Sequence, residues 1–213
     1  MCGIAGIVGK QPLADRGALA GLVDGIVHRG PDDRGEYLSP GGICALGHTR
    51  LAILDLSAAG HQPMLDAETG NAIVFNGEIY NFAALRAECE AGGYRFRSHS
   101  DTEVILALYS RHGVDCLRHL RGMFAFAIWD ERQRRLFFAR DRLGKKPFHF
   151  AESQEGFAFC SEIDPLARHA WTDRRLDRQA LDFFLHLQYV PAPLSIYRGI
   201  RKLPPAHYGL LDI

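Results

Sequence analysis

Apolar, aromatic-rich runs crowd the stretch from Met123 to Cys160, and they constrain the fold more than any other feature of the chain. Met123-Phe124-Ala125-Phe126-Ala127-Ile128-Trp129-Asp130, Arg135-Leu136-Phe137-Phe138-Ala139-Arg140 and the runs near 147–151 and 156–160 read as consecutive antiparallel strands joined by tight connections. Upstream, residues 3–8 form a short apolar run bounded by glycines, which reads as a buried strand, and residues 13–27 carry apolar side chains at helical spacing. A turn cluster, His28-Arg29-Gly30-Pro31-Asp32-Asp33, follows. Strand-like runs near 35–38, 43–47, 51–54 and 72–75 lead to helices near 82–91 and 101–112. The order β, α, many β, α, α, many β predicts helices packed on antiparallel sheets. After about residue 165 a helical stretch at 176–187 gives way to Tyr189-Val190-Pro191-Ala192-Pro193 and a Pro-rich tail, the texture of a junction to a further unit.

Composition narrows the function classes. With 213 residues, 47% hydrophobic and 23% charged, the chain is long enough to bury a sizeable core and argues against disorder. Lys+Arg and Asp+Glu both number 25, so no basic excess is available for nucleic acid. No run reaches the length of a membrane span, and the first residues lack a charged leader, so a cytoplasmic protein with no membrane contact is expected. Five widely spaced cysteines without a C-x-x-C pair argue against a disulfide framework and a structural zinc, and reduced thiols are expected. The ten histidines show no metal-ligand spacing, and neither a G-x-x-x-x-G-K-[ST] nor a G-x-G-x-x-G phosphate loop occurs, so neither metal nor nucleotide is expected in this chain.

Four constellations carry candidate chemistry. Cys2 combines, once Met1 is removed, a thiol and a free α-amine on one residue, and an amine of pKa about 7.7–8.0 can take the proton of a thiol of pKa about 8.5. The competing reading is a small residue at a frayed terminus. Asn76-Gly77, between Phe75 and Glu78, is either a two-residue hairpin turn or a pair of donors aimed at a developing oxyanion. Ser100-Asp101-Thr102-Glu103 fits a capping box with Ser100 as N-cap and Glu103 at the third helical position, and Asp101 in that first turn can also meet an ammonium group. Arg50, in Gly47-His48-Thr49-Arg50-Leu51, is either a solvated edge charge or a two-pronged grip on a carboxylate.

Together these segments closely resemble the N-terminal glutaminase domain of glutamine-dependent asparagine synthetases, class II glutamine amidotransferases of the N-terminal-nucleophile hydrolase superfamily. The resemblance runs in order through Met1-Cys2-Gly3-Ile4, His28-Arg29-Gly30-Pro31-Asp32, Arg50-Leu51-Ala52-Ile53, Gln62-Pro63, Phe75-Asn76-Gly77-Glu78-Ile79-Tyr80-Asn81, Ser100-Asp101-Thr102-Glu103, Arg121-Gly122-Met123-Phe124-Ala125-Phe126 and Arg140-Asp141-Arg142-Leu143-Gly144. It implies an α+β fold, a four-layer αββα sandwich of two antiparallel sheets. It implies Cys2 as nucleophile, with its own amine as base, and Asn76 and Gly77 as the oxyanion hole. Arg50 would hold the α-carboxylate of L-glutamine, Glu78 and Asp101 its α-ammonium, and the backbone of Leu51, Ala52, Ile53 and Leu54 would line the pocket.

The resemblance also divides the chain into a glutaminase domain at 1–165 and a junction at 166–213 leading into an ATP-dependent synthetase domain. That domain's S-G-G-x-D-S pyrophosphate loop does not occur in these residues, so ATP and Mg are expected only there, and ammonia from glutamine would pass to it for asparagine or a related amide. A homodimer is a further expectation from the family. Two alternatives stand beside this reading: a catalytically silent folding or dimerisation domain, and the amidotransferase half of an enzyme that forms a different amide.

Overall fold

The computed structural model describes residues 1–13 and 17–213. A six-stranded sheet takes the order β10-β8-β9-β1-β3-β2, formed by Arg201–Lys202, His149–Glu152, Gly156–Cys160, Gly3–Gly9, Cys44–Arg50 and Asp33–Leu38 respectively. A five-stranded sheet takes the order β11-β7-β6-β5-β4, formed by Tyr208–Asp212, Arg135–Arg140, Gly122–Asp130, Ala72–Ile79 and Met64–Leu65. Every strand pairing is antiparallel. Helices α1 (Gly17–Asp24) and α4 (Ile163–Arg168) pack on the larger sheet, while α2 (Phe82–Ala91) and α3 (Asp101–His112) pack on the smaller one. Helix α5 (Arg178–Leu187) precedes the last two strands.

Three apolar clusters correspond to the three interfaces of a four-layer αββα sandwich. Ala5, Ile7, Ala45 and Ala158 meet Leu19, Leu22, Val23 and Leu166 on the outer face of the larger sheet. Ile73, Phe75, Phe126 and Ile128 meet Leu85, Val104, Ile105 and Leu108 on the outer face of the smaller sheet. Between the sheets lie Ile4, Val8, Leu46, Val74, Trp129, Phe138, Phe157 and Phe159. The alternation of a strand decides which residue joins which layer. In β1 the even positions Ile4 and Val8 face the opposing sheet, and in β5 Ala72 and Val74 do so. The same parity aims Cys2, His48, Arg50, Asn76 and Glu78 inward, at the end of the interface where the apolar residues stop.

Several sequence expectations are revised. No strand forms at 51–54; β3 ends at Arg50 and an irregular loop begins. Asn76-Gly77 is not a hairpin turn but lies inside β5, opposite Ala125 and Phe124 of β6. Of the helix expected at 13–27, residues 14–16 lie outside the described residues; α1 covers Gly17–Asp24, and Val27–Arg29 forms a separate 3-10 turn. The sheets also continue past residue 165, because β10 pairs with β8 and β11 with β7 inside the segment read as a junction.

The aromatic stack between the sheets tests this packing. Phe159 is fully buried and stacks on Phe148 at 5.0 Å between ring centroids. Phe159→Ala is expected to lower the unfolding free energy by about 3–5 kcal/mol in urea titrations, the usual cost of emptying a buried aromatic site.

Candidate active site

The polar end of the sheet interface opens into a cavity of about 180 Å³ lined by Cys2, Arg50, Asn76, Glu78, Asp101 and Lys146, among others. Strands bring most of these residues together. Cys2 precedes β1, Arg50 closes β3, Asn76 and Glu78 stand on the inward face of β5, and Asp101 opens α3. Leu51, Ile53 and Leu54 also line the cavity, whereas Ala52 does not, its N–H being tied to Asp32 Oδ2 at 2.8 Å.

The Cys2 sulfur sits against the peptide of Leu51, 3.4 Å from its nitrogen and 3.6 Å from its oxygen. Burial pushes this thiol above its ordinary pKa, against the pull of the Leu51 N–H and of the positive charges of the N-terminus, Arg50 and Lys146. The thiol therefore needs a base. Arg29 fixes the nucleophile's backbone, donating from Nε to the Cys2 carbonyl at 3.0 Å while Nη1 reaches Glu162 at 2.9 Å. Serving as that anchor is one function of the His28-to-Asp32 turn.

Asn76 is 1% exposed, yet its Nδ2 has no hydrogen-bond partner among the described residues. A buried unsatisfied donor is costly, and this one lies on the cavity, where a bound acceptor would satisfy it. Gly77 follows it with a second donor. The N–H groups of Phe75 and Ile79 point away from β6, to Gln62 Oε1 at 2.7 Å and Asp101 Oδ2 at 2.9 Å. Strand alternation puts the N–H of Gly77, midway between them, on the same open side. Only glycine fits here, since a Cβ would lie 2.3 Å from the Met123 carbonyl oxygen.

Arg50 is neither a solvated edge charge nor an unengaged one. Its Nη1 donates to Ser57 O at 3.1 Å, and its Nη2 donates to Leu54 O at 3.3 Å and to Asp55 O. The guanidinium thus moulds the 51–57 loop into one wall of the cavity. Gly60 makes room for it, for a Cβ there would lie 2.0 Å from Nη2. Three hydrogen bonds to carbonyls leave part of the five-donor fork for a ligand.

At the start of α3, Ser100 is the N-cap and accepts from Thr102 N at 3.2 Å. The reciprocal half of the expected capping box is absent: Glu103 instead takes the N–H groups of Arg97 at 2.9 Å and Ser98 at 2.7 Å. The acid thereby shapes the approach to the helix rather than its first turn. Gln62 ties this helix to β5, donating to Thr102 Oγ1 at 3.2 Å while accepting from Phe75. Asp101 is pushed up to about 6 by burial, with the neighbouring Glu78 carboxylate adding to the rise. Glu78 itself has no hydrogen-bond or ion-pair partner among the described residues. The cavity therefore gathers two carboxylates, a guanidinium, a thiol and two unengaged donors on its walls. A zwitterionic amino acid matches that arrangement.

The comparisons agree with this geometry. A profile for the glutamine amidotransferase domain matches residues 1–212. The chain belongs to the glutamine amidotransferase family, class II. Among curated relatives, the "Asparagine synthetase [glutamine-hydrolyzing] 3" of Bacillus subtilis is 40% identical over 97% of this chain and 34% of its own length. "Amidase chry2" of Gibberella zeae is 34% identical over 98% of this chain and 32% of its own length. The chain thus spans about a third of the length of these relatives. Among solved structures, a glutamine phosphoribosylpyrophosphate amidotransferase from Bacillus subtilis superposes with a TM-score of 0.73 at 21% identity, covering 99% of this chain and 47% of that one. The chain accordingly shares the fold of that amidotransferase.

Other sequence expectations have narrower outcomes. All five cysteines are free, and among the described residues no helix is long and apolar enough to cross a membrane. Among the same residues no group of three or more His, Cys, Asp or Glu side chains is disposed to hold a metal ion. Sequence reasoning gave no individual role to Arg29, Gln62 or Lys146. The first two lie in segments whose resemblance was noted, but a lysine in Lys145-Lys146-Pro147 carries no local signal that separates it from a surface lysine.

Burying Asp101 has a measurable cost. Its native carboxyl holds its proton more tightly than the unfolded one, so its contribution to stability declines as pH rises from about 4 to about 6, and the penalty is fully present above that. Asp101→Asn is expected to raise Tm relative to the parent chain, with a larger gain at pH 7.5 than at pH 4 in calorimetry. An equal change at both pH values would contradict this account.

Proposed function

We propose that this chain is the glutaminase part of a glutamine amidotransferase, hydrolysing L-glutamine to glutamate and ammonia at Cys2. The observation that carries the reading is the unpartnered, buried Asn76 amide in the same cavity as the Cys2 thiol. Removal of Met1, which is exposed, turns the Cys2 nitrogen from an amide into a basic amine. Arg50 grips the substrate α-carboxylate, Glu78 and Asp101 take the α-ammonium, and the side-chain amide is thereby held against the sulfur. The Leu51–Leu54 backbone walls the pocket.

In the first half-reaction the α-amine takes the thiol proton, sulfur bonds to the δ-carbon, and the carbonyl π electrons move onto oxygen, where Asn76 Nδ2–H and Gly77 N–H receive the charge. Collapse of the adduct breaks the C–N bond, the ammonium of Cys2 returns its proton to the departing nitrogen, and ammonia leaves a γ-glutamyl thioester. In the second half-reaction the amine takes a proton from water, hydroxide adds to the thioester, and the same donors stabilise the adduct. Collapse expels sulfur, which recovers its proton, and glutamate is released.

The relatives' greater length supports an ammonia acceptor beyond these residues, a synthetase part that forms asparagine or a related amide. ATP and Mg²⁺ belong to that part on this reading, and the present cavity takes glutamine alone. Helix α5 supports such a partner: Leu181, Phe184 and Leu185 lie three and four residues apart on one face, and Leu185 is 71% exposed. Free cysteines throughout fit work in the reducing cytoplasm.

Three measurements on one preparation test the proposal. Intact mass is expected to fall by one Met residue, glutamate is expected to appear with glutamine as the only substrate, and Cys2→Ala is expected to abolish that release. Asn76→Ala is expected to lower kcat by about 10²–10³ with a much smaller change in KM, the signature of a donor used mainly in the transition state. A correctly processed chain whose Cys2→Ala variant releases glutamate as fast as the parent would refute the assignment.

A further inference from the structure

One cation in the cavity has no task in the mechanism above. Lys146 is 6% exposed and lines the cavity with Cys2, Asn76, Glu78 and Met123. Its ammonium forms no hydrogen bond or ion pair with the described residues. Lys202 offers a contrast within the same chain, because its Nζ is spent on the Val190 carbonyl at 2.6 Å. Lys146 instead leaves its ammonium to the cavity it shares with the Cys2 thiol.

The backbone under Lys146 is unusually well fixed. Asp141, buried at the end of β7, accepts from Phe124 N at 3.2 Å, Leu143 N at 3.1 Å, Lys145 N at 3.0 Å and Lys146 N at 3.0 Å. Arg140 closes the turn from the other side, donating to Gly144 O at 2.6 Å, Lys146 O at 2.7 Å and Leu203 O at 2.6 Å. Gly144 takes the left-handed conformation, φ +64°, that the tight turn requires. Lys146 is therefore pinned at both its N–H and its C=O, and Pro147 restricts it further. The Arg140-Asp141-Arg142-Leu143-Gly144 motif, which glutamine binding leaves unused, thus becomes the device that delivers one side chain to the cavity.

We propose that Lys146 is a positioning cation for the nucleophile, its ammonium held by the Arg140–Asp141 turn so that it stabilises negative charge on the Cys2 sulfur. The inference rests on the glutaminase reading for its meaning but not for its test. The charged groups around this pair come from every wall: the N-terminus beside Cys2, Arg29 after α1, Arg50 at the end of β3, Glu78 on β5, Asp101 on α3 and Asp141 under the turn. Burial favours the protonated thiol, and Lys146 opposes it together with the N-terminus, Arg50 and the Leu51 N–H. Burial lowers the Lys146 pKa while the thiol beside it raises it.

The test is alkylation of Cys2 by iodoacetamide as a function of pH, in which the thiolate displaces iodide. Cys44, Cys89, Cys116 and Cys160 are buried, and a Cys2→Ala chain gives the background. Lys146→Met keeps the apolar stem and removes the charge; its Cys2 profile is expected to move to higher pH by about half a pH unit or more, which is about threefold slower labelling at pH 7. Lys146→Arg is expected to keep the parent profile, and Lys146→Gln serves as a second neutral variant should the methionine chain fail to fold. A neutral variant whose profile superimposes on the parent's, or an arginine variant that moves as far as the neutral ones, would overturn the proposal. If the parent chain releases no glutamate, the glutaminase reading fails while the alkylation profiles still decide the role of Lys146.

Discussion

The interface between the two sheets is the constraint on which the rest of this structure depends. Ile4, Val8, Leu46, Val74, Trp129, Phe138 and Phe159 give the sheets a reason to lie face to face, and their burial fixes the parity of β1, β3, β5 and β6. Once Ile4 and Val8 must face the smaller sheet, Cys2 must do so as well. Once Ala72 and Val74 must face the larger one, Asn76 and Glu78 follow. A slip of one residue in β5 would send Asn76 into the layer under α2 and α3 and present Gly77 in its place. The active-site constellation is thus the polar continuation of an apolar interface.

Polar groups placed at the end of such an interface carry a burden, and the protein answers it group by group. Arg50, Glu103 and Asp141 are buried and each is satisfied by several backbone partners, and Gln62 is satisfied by Phe75 N and Thr102 Oγ1. Asn76 Nδ2 and the Glu78 carboxylate are not, and Asp101 is held above its ordinary pKa. The satisfied groups shape the loops at 51–57, 97–103 and 141–146, with Arg50 keeping part of its donor fork free, while Asn76 Nδ2 and the Glu78 carboxylate stand unpartnered in the cavity. Burial without a partner is a cost to folding that a ligand removes on binding.

Much of this was legible in the sequence, and the omissions have physical causes. The antiparallel runs followed from short apolar segments and their punctuation, which report local alternation directly, whereas the four-layer sandwich followed from the family resemblance. Asn76-Gly77 was ambiguous because the same dipeptide serves a type I′ turn and a donor pair, and only its long-range pairing with Ala125 and Phe124 decides between them. The strand expected at 51–54 failed because Leu51, Ile53 and Leu54 are apolar for a different reason: they wall a cavity, on a loop organised by the Arg50 guanidinium. Lys146 was invisible because its distinction lies in what surrounds it. A lysine becomes a candidate only when burial, a rigid turn and a facing thiol are all known.

On the proposed mechanism, burial and reactivity also explain why the reacting thiol stands next to a chain terminus. Inside the cavity the Cys2 thiol is driven towards its neutral form, so a base is required. The buried imidazoles are weak bases: burial lowers His48 to about 4, with its Nε2 engaged with Phe75 O at 3.1 Å, and lowers His149 to about 4. On the proposed mechanism an α-amine of Cys2, freed by removal of Met1, solves the problem without another buried side chain, provided that the terminus is held in place. The structure meets that condition through the Arg29 bond to the Cys2 carbonyl and through the pairing of Gly3 with Thr49, which ties the first residues of β1 into the centre of the larger sheet. A terminus that would otherwise fray thereby becomes a rigid, chemically distinct element of the fold.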